Sequence, residues 1–319
     1  MISRVAMVVA LTLGVASAPG ALAQSSARPE TRVPVPLEER VTHSDPTTYA
    51  DLESVHGGPG TMAFAAMFDA RRADSARFDL GTNFLFLHRG VIHPGGGIGA
   101  HYHNAVEEMF VILSGEAQFT VDSRTSVLKA PVGAPARLGS SHAIVNHTDE
   151  PIEWLNINVS SIPGLYDAFD LGDGRVDAEL DAIPQFITAD LSGAKLRDLE
   201  NYDGGTGPVK VRRALAPAVF FTPWSYLDHV VVPNSSSIGP VAKVDMSEVF
   251  FVLEGAGEAT IGGETIAIAK GDAVPAGLGE TRSFVSTGTD ALELMVIGVA
   301  RDLDAKRAYM LSEDAAIRR

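Results

Sequence analysis

The sequence predicts an all-β protein made of two tandem β-barrels and a short C-terminal helix. Short segments rich in β-branched and aromatic residues, such as Asn83 to His88 and Leu292 to Val299, alternate with Gly, Pro, Asn and Asp clusters. That pattern is typical of β-barrels and sandwiches. In addition, "EEMFVILSGEAQFTV" at 107–121 and "SEVFFVLEGAGEATI" at 247–261 share an acid, an apolar strand, a glycine turn and a second strand. A repeat offset by 140 residues indicates a duplicated domain.

The N-terminus predicts a cleaved secretory signal at residues 1–23. Arg4 precedes an apolar run from Val5 to Val15, and the segment ends on an A-x-A site before Gln24. A membrane anchor is the alternative, but this run is shorter than the roughly 20 residues that a bilayer requires. We therefore expect a secreted or periplasmic protein without a membrane partner.

The composition excludes several classes of function. The chain has 319 residues, 45% of them hydrophobic, which is enough for two ordinary domains. It contains no cysteine, so disulfides, thiolate metal ligands and a cysteine nucleophile are all unavailable. A formal net charge of −15 argues against nucleic acid or an anionic membrane surface as a partner.

The periodicity of the chain suggests six segments. Helical periodicity is clear only in "LDAKRAYMLSEDAAIRR", with a weaker candidate in "ITADLSGAKLRDLE" near residue 190. The predicted segments are the signal peptide 1–23, an N-terminal arm 24–74, a first barrel 75–165, a linker 166–205, a second barrel 206–302 and a C-terminal helix 303–319.

Three histidines and one glutamate form the candidate site of the first barrel. Residues two apart on a strand point to the same face, so His101 and His103 present both imidazoles on one side. After a short turn, Glu108 lies on the same face of its strand as the apolar residues that are expected to point inward. A buried carboxylate is costly unless it is paired or bound to a cation. Downstream, "GSSHAIVN" supplies His142.

These four residues predict a mononuclear site for one divalent metal ion such as Fe, Mn, Ni, Co, Cu or Zn. With four protein ligands, a six-coordinate ion keeps two positions for water, O2 or a bidentate substrate. The alternative is that the histidines lie on the polar rim of the barrel. The H-x-H pair, the glutamate on the same hairpin and the distal histidine together favour the metal.

The pattern of these residues resembles the cupin signature. Gly95 is followed by His101-x-His103, Glu108 and Gly115, and a second motif consists of Gly139-x-x-His142-x-x-x-Asn146. Arg137 stands where the family usually has proline, and Pro131 where it usually has glycine. The resemblance covers most of residues 75–300 and implies a bicupin, with two cupin barrels of the jelly-roll type in one chain.

The second half departs from that signature. Aligned on Glu248, it has Val241 and Lys243 at the two histidine positions, and Glu280 is assigned to the third. We therefore expect a metal-free barrel in which Lys243, Asp245, Glu248 and Glu280 form an ion-pair cluster. A remnant pocket for an organic ligand is the alternative.

Other polar residues near the predicted site receive secondary roles. Asn146, Asn156 and Asn158 share inward parity, so one of them is expected to orient a histidine or the substrate. His88 and His93 are expected in the pocket wall or at the surface, and Trp154 in the core. Glu107 is the nearest candidate acid or base, but its parity turns it away from Glu108, so no catalytic residue is assigned.

The site predicts a metal-dependent enzyme that acts on a small organic molecule. The cupin resemblance implies many chemistries, among which a dioxygenase-type oxidoreductase is preferred because no additional acid or base is identified. An isomerase or lyase, and a non-catalytic binder of a sugar-like molecule, are the alternatives. Outward apolar residues Met109, Val111 and Leu113 need cover, which predicts either a homodimer or burial by the other barrel.

Overall fold

The computed structural model describes residues 35–71 and 78–312. The predicted signal peptide and the first part of the predicted arm lie outside this range. The described helices are α1 Leu37–Arg40 and α2 Leu303–Met310, together with 3₁₀ turns at Pro46–Thr48, Val55–Gly57, Gly193–Lys195, Tyr202–Gly204 and Pro217–Val219. In the described part of the chain, neither helix has the length and apolar character that a bilayer span requires.

The first barrel consists of two antiparallel sheets. Its strands are β1 Ala50–Glu53, β2 Thr61–Asp69, β3 Phe84–Ile92, β4 Gly97–Tyr102, β5 Val106–Ile112, β6 Glu116–Val121, β7 Arg124–Lys129, β8 Val132–Ala136, β9 Ser141–Val145, β10 Ile152–Ser160, β11 Phe169–Asp170 and β12 Ala189–Asp190. One sheet has the order β1-β2-β3-β10-β5-β8-β12, and the other has the order β11-β4-β9-β6-β7.

The second barrel repeats this arrangement. Its strands are β13 Arg197–Glu200, β14 Pro208–Leu215, β15 Trp224–Val232, β16 Ser237–Ala242, β17 Met246–Glu254, β18 Ala256–Ile261, β19 Glu264–Ala269, β20 Ala273–Ala276, β21 Thr281–Ser286 and β22 Leu292–Ala300. The sheet orders are β13-β14-β15-β22-β17-β20 and β16-β21-β18-β19. Strands β3 and β15, like β10 and β22, begin 140 residues apart, which confirms the duplication.

Alternate residues of strand β5 pack into two different hydrophobic cores. In β5, Phe110 and Ile112 point into the first barrel, whereas Met109 and Val111 point outward into a core shared with the second barrel. Phe251 of β17 belongs to the same shared core. The other barrel therefore covers the outward face of β5, and these residues give no argument for a homodimer, which stays a prediction.

Two predicted boundaries differ from the structure. The segment predicted as an arm up to residue 74 contributes β1 and β2, and β2 pairs with β3, so the first barrel begins before residue 75. The predicted linker contributes β11, which pairs with β4, and β13, which pairs with β14. β2 is an almost uninterrupted apolar run without the polar alternation of a half-buried strand, and β11 is only two residues long, so in both cases the pairing partner defines the strand.

Of the two predicted helices, the C-terminal one is confirmed over Leu303–Met310; Leu311 and Ser312 are not helical, and residues 313–319 lie outside the described range. Asp302 caps α2, because its carboxylate accepts a hydrogen bond from the backbone N–H of Ala305 at 2.7 Å. The weaker candidate near residue 190 is wrong: that segment contains β12, a single 3₁₀ turn at Gly193–Lys195 and β13. Its apolar residues instead follow the sheets, and Ala189 and Leu191 are fully buried.

Candidate metal centre

The structure brings the four predicted ligands together inside the first barrel. His101 lies near the end of β4, His103 follows it, Glu108 lies in β5 and His142 lies in β9. His101 and His142 are directly paired across β4 and β9. All four side chains are buried, and their potential ligand atoms lie within 4.8 Å of one another.

The three imidazoles turn their Nε2 atoms toward Glu108. The Oε2 atom of Glu108 is 2.5 Å from Nε2 of His103, 3.3 Å from that of His142 and 3.6 Å from that of His101. On the opposite ring edge, Nδ1 of His101 donates to the Gly99 carbonyl at 2.9 Å, and Nδ1 of His103 donates to the Asp167 carbonyl. These outer hydrogen bonds place the proton of His101 and of His103 on Nδ1. Nε2 of each ring then carries the lone pair that can ligate a metal ion.

The charge state of the cluster is also suited to a cation. Burial would raise the pKa of Glu108, but the His103 charge and hydrogen bonds from the three imidazoles hold that pKa well below its usual value. Burial and the neighbouring His101 lower the pKa of His142 to about 3. Glu108 is therefore ionised and His142 neutral, the protonation states in which such groups bind metals. Burial opposes the charged form of His103, but the Glu108 charge outweighs it and raises the pKa of His103, so a metal ion would displace a proton there.

One contact tests whether the residues fit a metal ion. Nε2 of His142 lies 2.9 Å from Nε2 of His101, although the latter nitrogen carries a lone pair because its Nδ1 is the donor. A proton on Nε2 of His142, or a cation held by both rings, must lie between two nitrogens this close, and Nδ1 of His142 is buried without a hydrogen-bond partner among the described residues. The donor set of three imidazoles and one carboxylate fits a borderline divalent ion.

A cavity of about 200 Å³ opens beside the cluster. His101, Glu108 and Phe110 form one side of it. The remaining aromatic lining consists of His56, Phe64, Phe86, His88, Trp154 and Tyr166. Its polar lining includes Arg71 and Asn156, and its aliphatic lining includes Leu52, Val55, Met62 and Ile98. The cavity is therefore mainly apolar, with a few polar groups placed around the candidate metal site.

His56 is a site residue that the sequence reasoning missed. Its ring stacks on the ring of His101 with centroids 3.9 Å apart and an interplanar angle of 11°. Nδ1 of His56 contacts a carboxylate oxygen of Asp170 at 2.5 Å. The residue has a φ of 50°, in the left-handed region, within a turn that packs on β4. Only the fold brings it to His101, 45 positions away in the chain.

The site also includes the beginning of the predicted linker, residues 166–173, here called the linker strap. Tyr166 lines the cavity, and the Asp167 carboxylate accepts hydrogen bonds from the backbone N–H groups of Asn104 and Ala105 at 2.8 and 3.0 Å. The Asp167 carbonyl contacts His103. The linker strap thus holds the turn that connects two metal-ligating segments.

The candidate asparagines have different positions. Asn146 stabilises the following turn, with its amide nitrogen bound to the carbonyls of Ile92 and Glu150, and does not line the cavity. Asn156 does line it. Asn158 pairs with Glu108 across β10 and β5, and its buried side-chain amide has no hydrogen-bond partner among the described residues.

The other residues singled out in the sequence are also placed. His88 lines the cavity, whereas His93 is partly exposed with Asp51 3.7 Å away. Trp154 belongs both to the core and to the cavity wall. Glu107 points away from the cluster, as its parity predicts, and its carboxylate accepts hydrogen bonds from the backbone N–H groups of Phe221 and Thr222 in the second barrel.

In the second barrel an arginine takes the place of the third histidine. Arg282 pairs with Val241 across β16 and β21, as His142 pairs with His101. The assignment of Glu280 to this position is wrong, because Gly279, with a φ of 74°, is the counterpart of Gly139, with a φ of 76°. Glu280 has the same spacing from the nearby Gly277, but that glycine lacks the left-handed conformation.

The predicted ion-pair cluster exists with different members. Glu248 contacts Arg282, the Tyr226 hydroxyl and, at 3.4 Å, the Lys243 ammonium. Glu280 instead binds Arg40 at 2.7 Å, and Asp245 binds Arg301. Among the described residues, the second barrel has no cluster of potential metal ligands. The guanidinium of Arg282 is a buried cation at the position that corresponds to His142.

The fold and the site together define a duplicated β-barrel protein with one candidate metal centre. Residues 88–158 and residues 229–298 each match the family model described as "Cupin domain". The chain is therefore a member of the cupin superfamily with two cupin domains, a bicupin. None of the curated proteins matches it in sequence.

Several solved structures share this fold. Oxalate decarboxylase from Bacillus subtilis is 14% identical, with a TM-score of 0.55 over 82% of this chain and 77% of that chain. Oxalate decarboxylase from Lactobacillus farciminis is 14% identical, with a TM-score of 0.53 over 81% of this chain and 87% of that chain. Vicilin from hazelnut (Corylus avellana) is 11% identical, with a TM-score of 0.55 over 82% and 86%. At these identities the likeness concerns the fold alone.

Proposed function

We propose that this bicupin is a secreted enzyme that uses one divalent metal ion in its first barrel to act on a small organic molecule. The reaction we favour is a dioxygenase-type oxidation. The observation that carries the proposal is the buried cluster of His101, His103, Glu108 and His142 at the wall of a mainly aromatic cavity. Secretion rests on the N-terminal sequence.

The residues around the cavity suit a substrate with a planar apolar ring. Phe64, Phe86 and Trp154 form an aromatic wall beside such a ring, and burial there excludes water. The ion would supply Lewis acidity or O2 activation at its open positions. Glu108 would offset one of the two positive charges of the ion. The remaining positive charge would still attract a substrate oxygen anion.

An isomerase or lyase is the second candidate, because the structure supplies titratable groups that the sequence reasoning could not locate. His88 and Tyr166 both line the cavity. Burial raises the pKa of Tyr166, so its hydroxyl stays protonated and can donate a hydrogen bond at neutral pH. Groups of this kind serve as acids and bases in such reactions. A non-catalytic binding protein is the third candidate.

The first experiment is elemental mass spectrometry on protein exported to a periplasm. The His101→Ala, His142→Ala double variant is compared with the wild type, and His93→Ala serves as a matched control outside the cluster. We expect one metal ion per chain in the wild type and the control, and none in the double variant. Oxygen uptake with a panel of phenols then tests the favoured reaction.

The outcomes separate the candidates. A redox-active metal with oxygen uptake supports the dioxygenase. Zinc, or manganese without oxygen uptake, favours the isomerase or lyase. No stoichiometric metal in the wild type would refute the enzyme and leave a binding protein. The mass of the exported chain checks secretion, since cleavage after residue 23 removes a defined fragment.

A further inference from the structure

His88 lies in the cavity wall in an environment that differs from those of the metal-ligating histidines. It belongs to β3 and is buried, with its ring between two phenyl rings. The centroid of Phe86 is 4.2 Å away with an interplanar angle of 8°, and that of Phe64 is 4.8 Å away with an angle of 13°. The two stacking contacts leave only the edge of the imidazole for polar contacts.

One nitrogen of this edge is occupied by a carboxylate. Nε2 of His88 is 3.2 Å from Oδ2 of Asp69. Arg71 holds that carboxylate in place, since its Nε and Nη2 atoms donate to the two oxygens at 2.9 and 2.7 Å. Burial opposes ionisation, but the hydrogen bonds from Arg71 and His88 outweigh it and lower the pKa of Asp69. Asp69 is therefore a fixed anion.

This arrangement determines the tautomer of His88. A carboxylate accepts hydrogen bonds, so Nε2 carries the proton and Nδ1 carries the lone pair. Among the described residues, Asp69 is the only hydrogen-bond partner of His88. Burial lowers the pKa of His88 despite the charge of Asp69, which keeps the ring neutral in the resting protein. A neutral imidazole with a free Nδ1 can accept a proton.

The strand register places this base on the same cavity as the candidate metal centre. Asn156 pairs with His88 on one side and with Phe110 on the other, and Asn158 likewise pairs with Phe86 and Glu108. His88 and Glu108 are therefore two strands apart and offset by two residues along the strands, about 12 Å between backbones. Both side chains line the same cavity, which is where an aromatic ring that contacts both would bind.

We propose that His88 is the catalytic base for a substrate of the phenol class, an inference that rests on the proposed function. Nδ1 removes the proton of a ring hydroxyl: the O–H bond breaks, its electron pair stays on the oxygen, and an N–H bond forms on His88. The oxygen anion is then ready to bind at the cluster of His101 and Glu108. Asp69 offsets the charge of the imidazolium.

Other charged and titratable groups around the cavity are accounted for. Arg71 is held by Asp69 and stacks on Phe86 and Tyr166, with its guanidinium carbon 4.3 and 4.6 Å from the two ring centroids. Glu108 belongs to the metal cluster, and His56, although it contacts the Asp170 carboxylate, stacks on His101 of that cluster. Burial raises the pKa of Tyr166, so its hydroxyl stays protonated. His88 is thus the neutral nitrogen base of the cavity that has a fixed carboxylate partner and does not belong to, or stack on, the metal cluster.

The test uses 4-nitrocatechol, whose absorption spectrum distinguishes its protonation states. The metal-loaded full-length protein is titrated with the probe at several pH values. We expect the wild type to bind it as an anion below the pH at which the free probe ionises. In His88→Gln, the apparent pKa of the bound probe should rise by about one unit, with unchanged metal content.

Two further variants keep the test informative. Asp69→Asn retains His88 but removes its anionic partner, so a smaller shift in the same direction is expected. His93→Gln, on the exposed histidine nearby, should behave as the wild type does. Metal content and melting temperature show that each variant is folded.

The failures are distinguishable. A wild-type protein that binds no metal refutes the proposed function and, with it, the role of His88. If the bound probe has the same apparent pKa in the metal-loaded wild type and in metal-loaded His88→Gln, the role of His88 is refuted and the proposed function is not. The same conclusion follows if the wild type binds the probe only in its neutral form.

Discussion

Replacing Arg282 by methionine tests whether the buried carboxylate of Glu248 depends on the positive charge of Arg282. Arg282 and Glu248 are both buried, with side chains 4% and 2% exposed, and they form an ion pair. Removing one member of a buried pair typically costs about 3–5 kcal/mol, because the other charge is left uncompensated. Lys243 and Tyr226 still contact Glu248, so we expect a loss near the lower limit, about 3 kcal/mol.

Urea unfolding followed by circular dichroism at pH 7 measures this loss. Arg301→Met is the matched control, since it removes a pair with Asp245 in which both side chains are about half exposed. Such a surface pair contributes at most about 1 kcal/mol. The double variant Glu248→Gln, Arg282→Met removes both charges, and we expect it to recover most of the loss of the single variant.

Two results would refute this reasoning. One is a loss in Arg282→Met no larger than that in Arg301→Met, which would mean that the Glu248 charge needs no partner. The other is a double variant that loses the sum of the two single effects, which would mean that the charges are not coupled. Metal content should be unchanged in every variant, because the candidate ligands lie in the first barrel.

Three further predictions concern contacts that link distant segments. Glu107→Ala leaves the buried N–H of Thr222 and the partly buried N–H of Phe221 without their acceptor, so we expect a loss of about 3 kcal/mol in urea unfolding and a smaller one in Glu107→Gln. Burial lowers the pKa of Lys306 to about 8, so the unfolded chain binds the extra proton between pH 8 and 10.5. Stability should therefore rise across this window by up to about 3 kcal/mol relative to Lys306→Met, as measured by urea unfolding at both limits. Asp167→Ala removes the acceptor of two backbone N–H groups beside His103, and we expect about tenfold weaker metal binding in competition with a chelator.

Each of these predictions has a contrary outcome. Equal losses in Glu107→Ala and Glu107→Gln would show that the carboxylate is not the feature that matters. A stability difference between wild type and Lys306→Met that is flat with pH would contradict a lowered pKa. If Asp167→Ala lowered the stability of the protein but left its metal affinity unchanged, the linker strap would have no role in metal binding.

The duplication and the metal ligands could be predicted from the sequence because both depend on local geometry. Alternation along a strand is enough to place His101 and His103 on one face and Glu108 inward, and the repeat distance shows two domains. The same parity correctly turned Glu107 away from the cluster. These features need no knowledge of which strands are neighbours.

The rest of the site depends on contacts between distant segments, which local patterns do not specify. His56 reaches His101 through a turn with left-handed backbone, and Asp69 reaches His88 only because β2 pairs with β3. The assignment of Glu280 failed for a related reason. Two glycines two residues apart offered alternative alignments, and the repeat offset of 140, applied to His142, leads to Arg282.

The position of the linker strap has a consequence for how such proteins recombine. It joins the two barrels in sequence, yet Tyr166 and Asp167 complete the pocket of the first. A chimera that exchanged the second barrel at the end of β10 would inherit the four ligands without these neighbours. The exchangeable module of this bicupin is therefore the first barrel together with the beginning of its linker.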